Sequence, residues 1–518
     1  MKRLEEFYEY LERRTVNQLE LNEKKRGKRV FSTIHGYVKV DPIELTIIDS
    51  FFLQRLRSVF HLGLAHLVYP ETRHSRFDHS IGVFHLAKEA LKSFEEKGLV
   101  DECIRKNIPM AALLHDCGHF PLSHLTERTF NLNHKMRSAN IVLGRDETIN
   151  FLWKKNKGEN SYKILREYLN DKGYEPELIA RWISPSTISI NNGRLKPYED
   201  FSLICGVVDV DKMDYLSRDA FFSGTPYGFV DIKRIMQALT IIDKKGKKCL
   251  GVEEKALESV IHFIIGGELD YDAIACHHTV RIAESMLSTA LLLAAEKLEL
   301  EELKKFITYM GIMSDDDLLY ALELISEETK DTLIGEIVRR IRYRRLFKSV
   351  QIKSVDIGAT DLMRTIYDYI EDILGGDEIP GRLILYLTEQ DIKEMTNINL
   401  QLKKGFVIID FKDMPAKTSK DYETYALRKI EREFYVLKRT GETLPLTEVS
   451  FEDINPQDLL SRYIRLAASI LFIGYGEDRD ELETLKKDHD GLCLLLNSAV
   501  KRMLEINGKM RLVKKISL

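Results

Sequence analysis

The stretch ALLHDCGHFPLSH, residues 112–124, sets three histidines and an aspartate at the tail of an apolar run. Ionisable groups that follow Ala111, Ala112, Leu113 and Leu114 are costly to bury unless something pairs with them or binds them. Histidines are crowded around this point. Of the 14 in the chain, His61, His66, His74, His79, His85, His115, His119, His124 and His134 fall between residues 61 and 134. Imidazole is a common metal ligand and titrates near neutral pH, so the crowding points to metal binding, acid–base chemistry or both. His115 and Asp116 are neighbours and would point about 100° apart on an ideal helix. Both reach one ion only at a helix end or where helices converge. TRHSRFDHSIGVFHLA (72–87) brings His79 to the start of another apolar helix, and GVVDVDKMDYLSRDAFFSG (206–224) carries Asp209, Asp211, Asp214 and Asp219. Each motif alone has a bland reading: a surface pair, a polar helix start, ordinary amphipathicity. In the order His79, His115–Asp116, Asp211 they supply two imidazoles and two carboxylates. That donor set suits a divalent hydrolytic metal with positions open to water and a phosphate.

The elements that must position these groups are mainly helical. MKRLEEFYEYLERR opens a charged amphipathic helix over residues 1–25, and KRVFSTIHGYVKVDPIEL (28–45) is β-leaning, a short hairpin. From Ile47 to about residue 345 apolar residues recur at spacings of three and four. Gly98 is a C-cap candidate, and Ser314 caps a helix whose first turn is acidic. His115 and His119, four apart, would share a helix face. Pro121 would end regular helix and put His124 on a turn facing the site. GRLILYLTEQD and KKGFVIIDFKDMP read as strands, whereas DLLSRYIRLAASILFIGY and GLCLLLNSAVKRMLEI read as helix. The expected class is mostly α. Residues 1–45 form the N-terminal helix and short β segment, 46–348 the helical core, 349–455 a smaller α+β lobe and 456–518 a C-terminal helical segment.

The bulk numbers set limits. At 518 residues, 44% hydrophobic and 31% charged with net charge −4, the chain exceeds one core and gives no global argument for nucleic acid. No signal peptide or bilayer-length apolar run is evident. Cys103, Cys117, Cys205, Cys249, Cys276 and Cys493 are scattered without a CxxC, which argues for a reducing, cytoplasmic setting and against a cysteine zinc site. Cys117 has no base partner in sequence and reads as a small buried filler.

With these motifs in hand, residues 47–346 resemble the HD-domain phosphohydrolases, in particular the deoxynucleoside triphosphate triphosphohydrolase-like branch. The resemblance is densest in FLQRLRSVFHLGLAHLVYPETRHSRFDHSIGVFHLA, ALLHDCGHFPLSH, NHKMRSANIVL and DVDKMDYLSRD, and the strands of 382–411 look like that family's C-terminal lobe. No SAM domain is present. The resemblance implies an HD-domain helical core and a metal held by His79, His115, Asp116 and Asp211. It places His119, His124 and His134 along the phosphates, with His124 as general acid and Glu127 orienting it. Arg76 would contact phosphate, Lys212 a terminal phosphate, Tyr215 the sugar or base and Asp219 the ribose hydroxyl. His61, where some relatives have a sugar-contacting glutamine, Leu62 and His278 would complete the substrate wall. The implied reaction is attack on the α-phosphorus of a deoxynucleoside triphosphate, releasing nucleoside and inorganic triphosphate. One divalent ion per site is implied, Mn, Mg, Fe, Ni or Zn. The implied partners are the nucleotide, an allosteric nucleotide and further copies of the chain, with no membrane.

Segment 266–287 departs from the pattern. Cys276-His277-His278-Thr279 lacks a lysine, Glu268 stands where an arginine is expected, and Asp270 and Asp272 add negative charge. Acids facing the pocket would disfavour a triphosphate. Two other readings stay open: an HD phosphohydrolase acting on a monophosphate or phosphodiester, and a non-catalytic nucleotide or nucleic-acid binder. The basic run RRIRYRRLFK (339–348) is the support for weak single-stranded nucleic-acid contact. Its bland reading is a solvated or subunit-facing helix.

Overall fold

The computed structural model describes residues 1–158, 161–185, 201–353, 382–388, 407–412, 434–449, 469–474 and 479–485, with scattered positions between 491 and 512. The leading helix spans Lys2–Val16, shorter than the sequence suggests, and buries Leu4, Phe7, Tyr8 and Leu11. Tyr8 stacks on Tyr309 with ring centres 4.2 Å apart, and Arg14 reaches Asp317 at 2.6 Å. The β-leaning segment forms an antiparallel hairpin, Lys28–Ser32 with Gly36–Val40. Gly36 closes its turn at φ +74°, a conformation that costs glycine little.

The site is framed by three helices. Arg76–Glu96 starts at a Ser75–Asp78 capping box and buries Phe77, Ile81, Val83, Phe84, Ala87, Ala90, Leu91 and Phe94. It ends at Lys97, and Gly98 follows at φ +67°. Glu102–Leu114 and Val210–Ser223 pack against it, the second capped by Asp209. Gly82 makes the second contact possible, since a Cβ there would lie 1.8 Å from Asp214 Oδ1. His278–Lys297 is buried along most of its length and forms the central pillar of the core. Ser314 caps Asp315–Thr329 with Asp317 completing the box, as its acidic first turn suggests.

Two β features differ from expectation. Leu239–Lys244 and Lys247–Glu253 form a hairpin inside the helical region, turning through Lys245 and Gly246 at positive φ. Its second strand pairs in parallel with Tyr435–Leu437. SILFIG, read as helix, is instead the strand Ser469–Gly474, lying between Lys348–Lys353 and Val407–Lys412 in a four-stranded sheet that Arg382–Leu387 completes. A short unbroken apolar run has no period that separates strand from buried helix. Here two flanking strands supply the ladder partners. The other expected strands, at 382–387 and 407–412, are present. The rest of 349–455 lies largely outside the described residues.

Candidate metal centre and cleft

Helix Glu102–Leu114 ends where the charges begin. His115 is its C-cap residue, and Asp116 follows in a turn. The four expected ligands converge there. His79 Nε2 lies 3.1 Å from Asp211 Oδ1 and 3.8 Å from Asp116 Oδ2. His115 Nε2 lies 3.3 Å from Asp116 Oδ1 and 3.8 Å from Asp211 Oδ1. Separations of this size fit the edges of a coordination polyhedron with bonds of about 2.1 Å. Each imidazole is held from behind: His79 Nδ1 meets Asp214 Oδ2 at 2.8 Å, and His115 Nδ1 donates to the Ala112 carbonyl at 2.8 Å. That arrangement aims both Nε2 atoms at the centre. His115 Nε2 is buried and has no hydrogen-bond partner. A buried nitrogen left in this way carries a desolvation penalty that a metal bond removes, so the residues fit a divalent ion.

The charge state agrees. Burial pushes His115 below its ordinary pKa, favouring the neutral ligand form. Burial opposes ionisation of Asp116, yet His115, His119 and Arg76 hold it well below the carboxylate range. Burial likewise works against a charged His79, but Asp211 and Asp214 together raise it to about 9. That imidazolium carries the positive charge the carboxylates demand, and a divalent ion at Nε2 would replace its proton.

Beside it stands a histidine trio, His119, His124 and His134, the last two held by one carboxylate. Glu127 meets His124 Nδ1 at 2.9 Å, His134 Nδ1 at 2.8 Å and the His134 backbone N–H at 2.7 Å. His119 stacks on His134 at 3.8 Å and places Nε2 3.5 Å from Asp116 Oδ1; His134 Nε2 is 3.8 Å from the same oxygen. Two sequence expectations are corrected. His119 shares no helix face with His115, because the helix stops at Leu114 and a turn carries both inward. His124 is not on a turn but opens the short helix His124–Phe130. Before it, Leu122 and Ser123 both hold φ near +55°, at 56° and 54°. Asp315 accepts from the Leu122 and Phe60 backbone N–H groups at 2.6 and 2.8 Å, fixing this strained turn. Desolvation by the cleft walls and the Arg76 charge push His124 down to about 4, against the pull of Glu127. Its side chain is still 51% exposed.

The remaining expected residues are placed as follows. Arg76 is buried and donates to Asp116 at 2.7 Å, to Ser123 Oγ and to the His61 carbonyl. Lys212 Nζ binds Asp209 and the Gly206 carbonyl. Tyr215 lies 6.4 Å from the His61 ring, and Asp219 meets His74 Nε2 at 2.9 Å. Leu62 packs on Ala65, Ile274 and Val280. His278 is exposed and stacks on His277. Glu268 is exposed and acts on the Tyr215 hydroxyl, while Asp270 is buried against Thr225 and pushed up to about 7 by burial and by Asp219. Cys117 is buried with its thiol pushed up by burial to about 12, as an inert filler.

Sequence reading missed the groups behind the ligands. Asp214 takes His79, His35 at 2.6 Å and Arg218 in two bonds at 2.8 and 2.9 Å. Its spacing of three from Asp211 on one helix was a usable signal. His35 arrives from the hairpin turn and had none. Lys135, beside His134, acts on Asp211 and lies 3.1 Å from Cys205 Sγ.

The profile of the HD domain matches residues 76–219, and that of the HD associated region matches 230–373. The chain thus carries an HD domain followed by an HD associated region. Among its relatives, an uncharacterized protein of Methanocaldococcus jannaschii is 30% identical over 319 residues, covering 62% of this chain and 59% of that protein. The deoxynucleoside triphosphate triphosphohydrolase SAMHD1 homolog of Dictyostelium discoideum is 28% identical, with 69% of this chain and 66% of that one covered. Human deoxynucleoside triphosphate triphosphohydrolase SAMHD1 is 26% identical, with 62% and 55% covered. The match thus spans 59%, 66% and 55% of these relatives' lengths. A phosphohydrolase of Bacteroides thetaiotaomicron shares the fold, with TM-score 0.54 at 20% identity over 86% of this chain and 99% of that one. No helix among the described residues is long and apolar enough to cross a membrane.

Proposed function

We propose that this protein hydrolyses deoxynucleoside triphosphates to deoxynucleoside and inorganic triphosphate, by attack of water on the α-phosphorus. One observation carries the reading: a ligand set of His79, His115, Asp116 and Asp211 faces, across Asp116, a histidine pair held by Glu127. A divalent ion bound by that set would supply a hydroxide near neutral pH and polarise a phosphate oxygen. Glu127 fixes the Nδ1 atoms of His124 and His134, leaving their Nε2 atoms for substrate. His124 is neutral in the free cleft. A polyanionic phosphate beside it favours the charged form, so His124 takes up a proton with the substrate and delivers it to the departing 5′-oxygen. Arg76, Lys212 and Lys135 neutralise phosphate charge; Lys135 offsets the lysine missing at Thr279. Tyr215 and Asp219 meet the sugar.

A second reading, a nucleotide with fewer phosphates, draws on Glu268, exposed near Tyr215, and on Thr279. The test is a panel of metal-loaded incubations with single dNTPs, NTPs, monophosphates and a dinucleotide, with products resolved by mass spectrometry. Nucleoside plus triphosphate from a dNTP supports the first reading. Inert triphosphates beside a cleaved monophosphate or diester would move the assignment to the second.

A further inference from the structure

We propose that His61, His74 and Asp219 form a second divalent-cation site beside the His79–His115–Asp116–Asp211 centre. One ring nitrogen of each histidine and one carboxylate oxygen of Asp219 lie within 4.8 Å of one another. All three residues are more than nine-tenths buried, at 8%, 5% and 4% exposure. His61 Nδ1 and His74 Nδ1 are both buried without a hydrogen-bond partner. A partnerless imidazole nitrogen in a buried cluster is costly to leave unsatisfied, and a cation bound through His61 Nδ1, with His74 Nε2 and Asp219 as its other ligands, would satisfy it. His74 Nε2 and Asp219 Oδ1 are 2.9 Å apart, close to the edge of an octahedron with bonds of about 2.1 Å. Two histidines and one carboxylate are the donor set that holds Fe or Mn with positions left open.

The two sites share a wall. His61 also groups with His79 and Asp116 within 4.8 Å, and the His61 and His79 rings are 4.4 Å apart. The inference goes beyond the proposed reaction and does not depend on it.

The experiment counts metal. Untagged full-length protein is stripped with a chelator and dialysed against a series of Mn²⁺ concentrations, and bound manganese per chain is measured. The wild type is expected to saturate at two Mn²⁺ per chain, His61→Ala at one and Asp211→Ala at one. A wild type that saturates at one overturns the proposal without any variant. His61→Ala that still binds two, with an unchanged melting temperature, overturns it as well. Neither outcome touches the reaction assigned to the first centre, which is read from nucleotide products.

Discussion

Asp214 touches no substrate in this account, yet it holds His79 in register for the metal. Its carboxyl lies well below the ordinary range: burial opposes this, and Arg218 with His35 and His79 outweighs it. Asp214→Asn keeps the shape and removes the charge that fixes the His79 tautomer. Loss of such an outer partner typically lowers metal affinity about ten- to a hundredfold, and that is the expected result in a Mn²⁺ titration; an unchanged affinity would mean His79 is oriented by something else. Glu127→Gln tests the other wall. It should lower kcat by about 10²-fold or more with metal content unchanged, because only the histidine pair is disturbed. An active Glu127→Gln would remove Glu127 from its positioning role. The cluster of His79, His115, Asp116 and Asp211 was legible as a candidate because histidine beside aspartate in an apolar run is expensive to bury, and His79 and Asp211 stand in apolar helices of their own. The supporting role of Asp214 was only hinted at by its spacing from Asp211, since an acid and a base four apart on a helix, as Asp214 and Arg218 are, look like a surface pair, and only the tertiary fold shows both buried.

At the scale of elements, the site depends on where helices stop. Helix 102–114 ends one residue before the motif, and the strained turn at Leu122 and Ser123 swings His124 into the cleft. Pro121 marked the chain reversal in sequence, but not the positive φ of Leu122 and Ser123, because neither is glycine. Asp315, a first-turn acid in sequence, proves to be the post that holds the turn. Burial sets its pKa at about 7, against the two backbone donors that favour the carboxylate. The folded value lies above the ordinary aspartate value of 3.8, so the native state binds the extra proton between about pH 4 and 7. Its contribution to stability is therefore fullest at low pH and is lost as pH rises through 7. Asp315→Asn is expected to destabilise more at pH 5 than at pH 8, by a few kcal/mol across that window at about 1.4 kcal/mol per pKa unit. Equal destabilisation at both pH values, in denaturant melts, would refute the assignment.

For the whole molecule, the helical core and the C-terminal sheet meet through a buried ion pair. Arg281, on the central helix, donates to Asp410 Oδ2 at 2.9 Å and to the Asp410 carbonyl, and both side chains are buried. Removing one partner leaves a buried charge, a cost of about 3–5 kcal/mol. Asp410→Ala should thus lower the melting temperature and expose the sheet to proteolysis; an unchanged melt and digestion pattern would show that the pair bears no load. The helical architecture was legible from sequence. The placing of SILFIG in this sheet was not, because its partners come from chain more than fifty residues away. In the proposed reaction the metal ligands and the Glu127-held histidines act together on the α-phosphorus. The most direct measurement is hydrolysis of a dNTP in ¹⁸O-labelled water by the Mn²⁺-loaded protein, with Asp116→Ala as control. Attack on the α-phosphorus puts one ¹⁸O in the inorganic triphosphate and none in the nucleoside, with no turnover in the variant. Label in the nucleoside, label in monophosphate released from the γ-position, or full turnover by Asp116→Ala would contradict it.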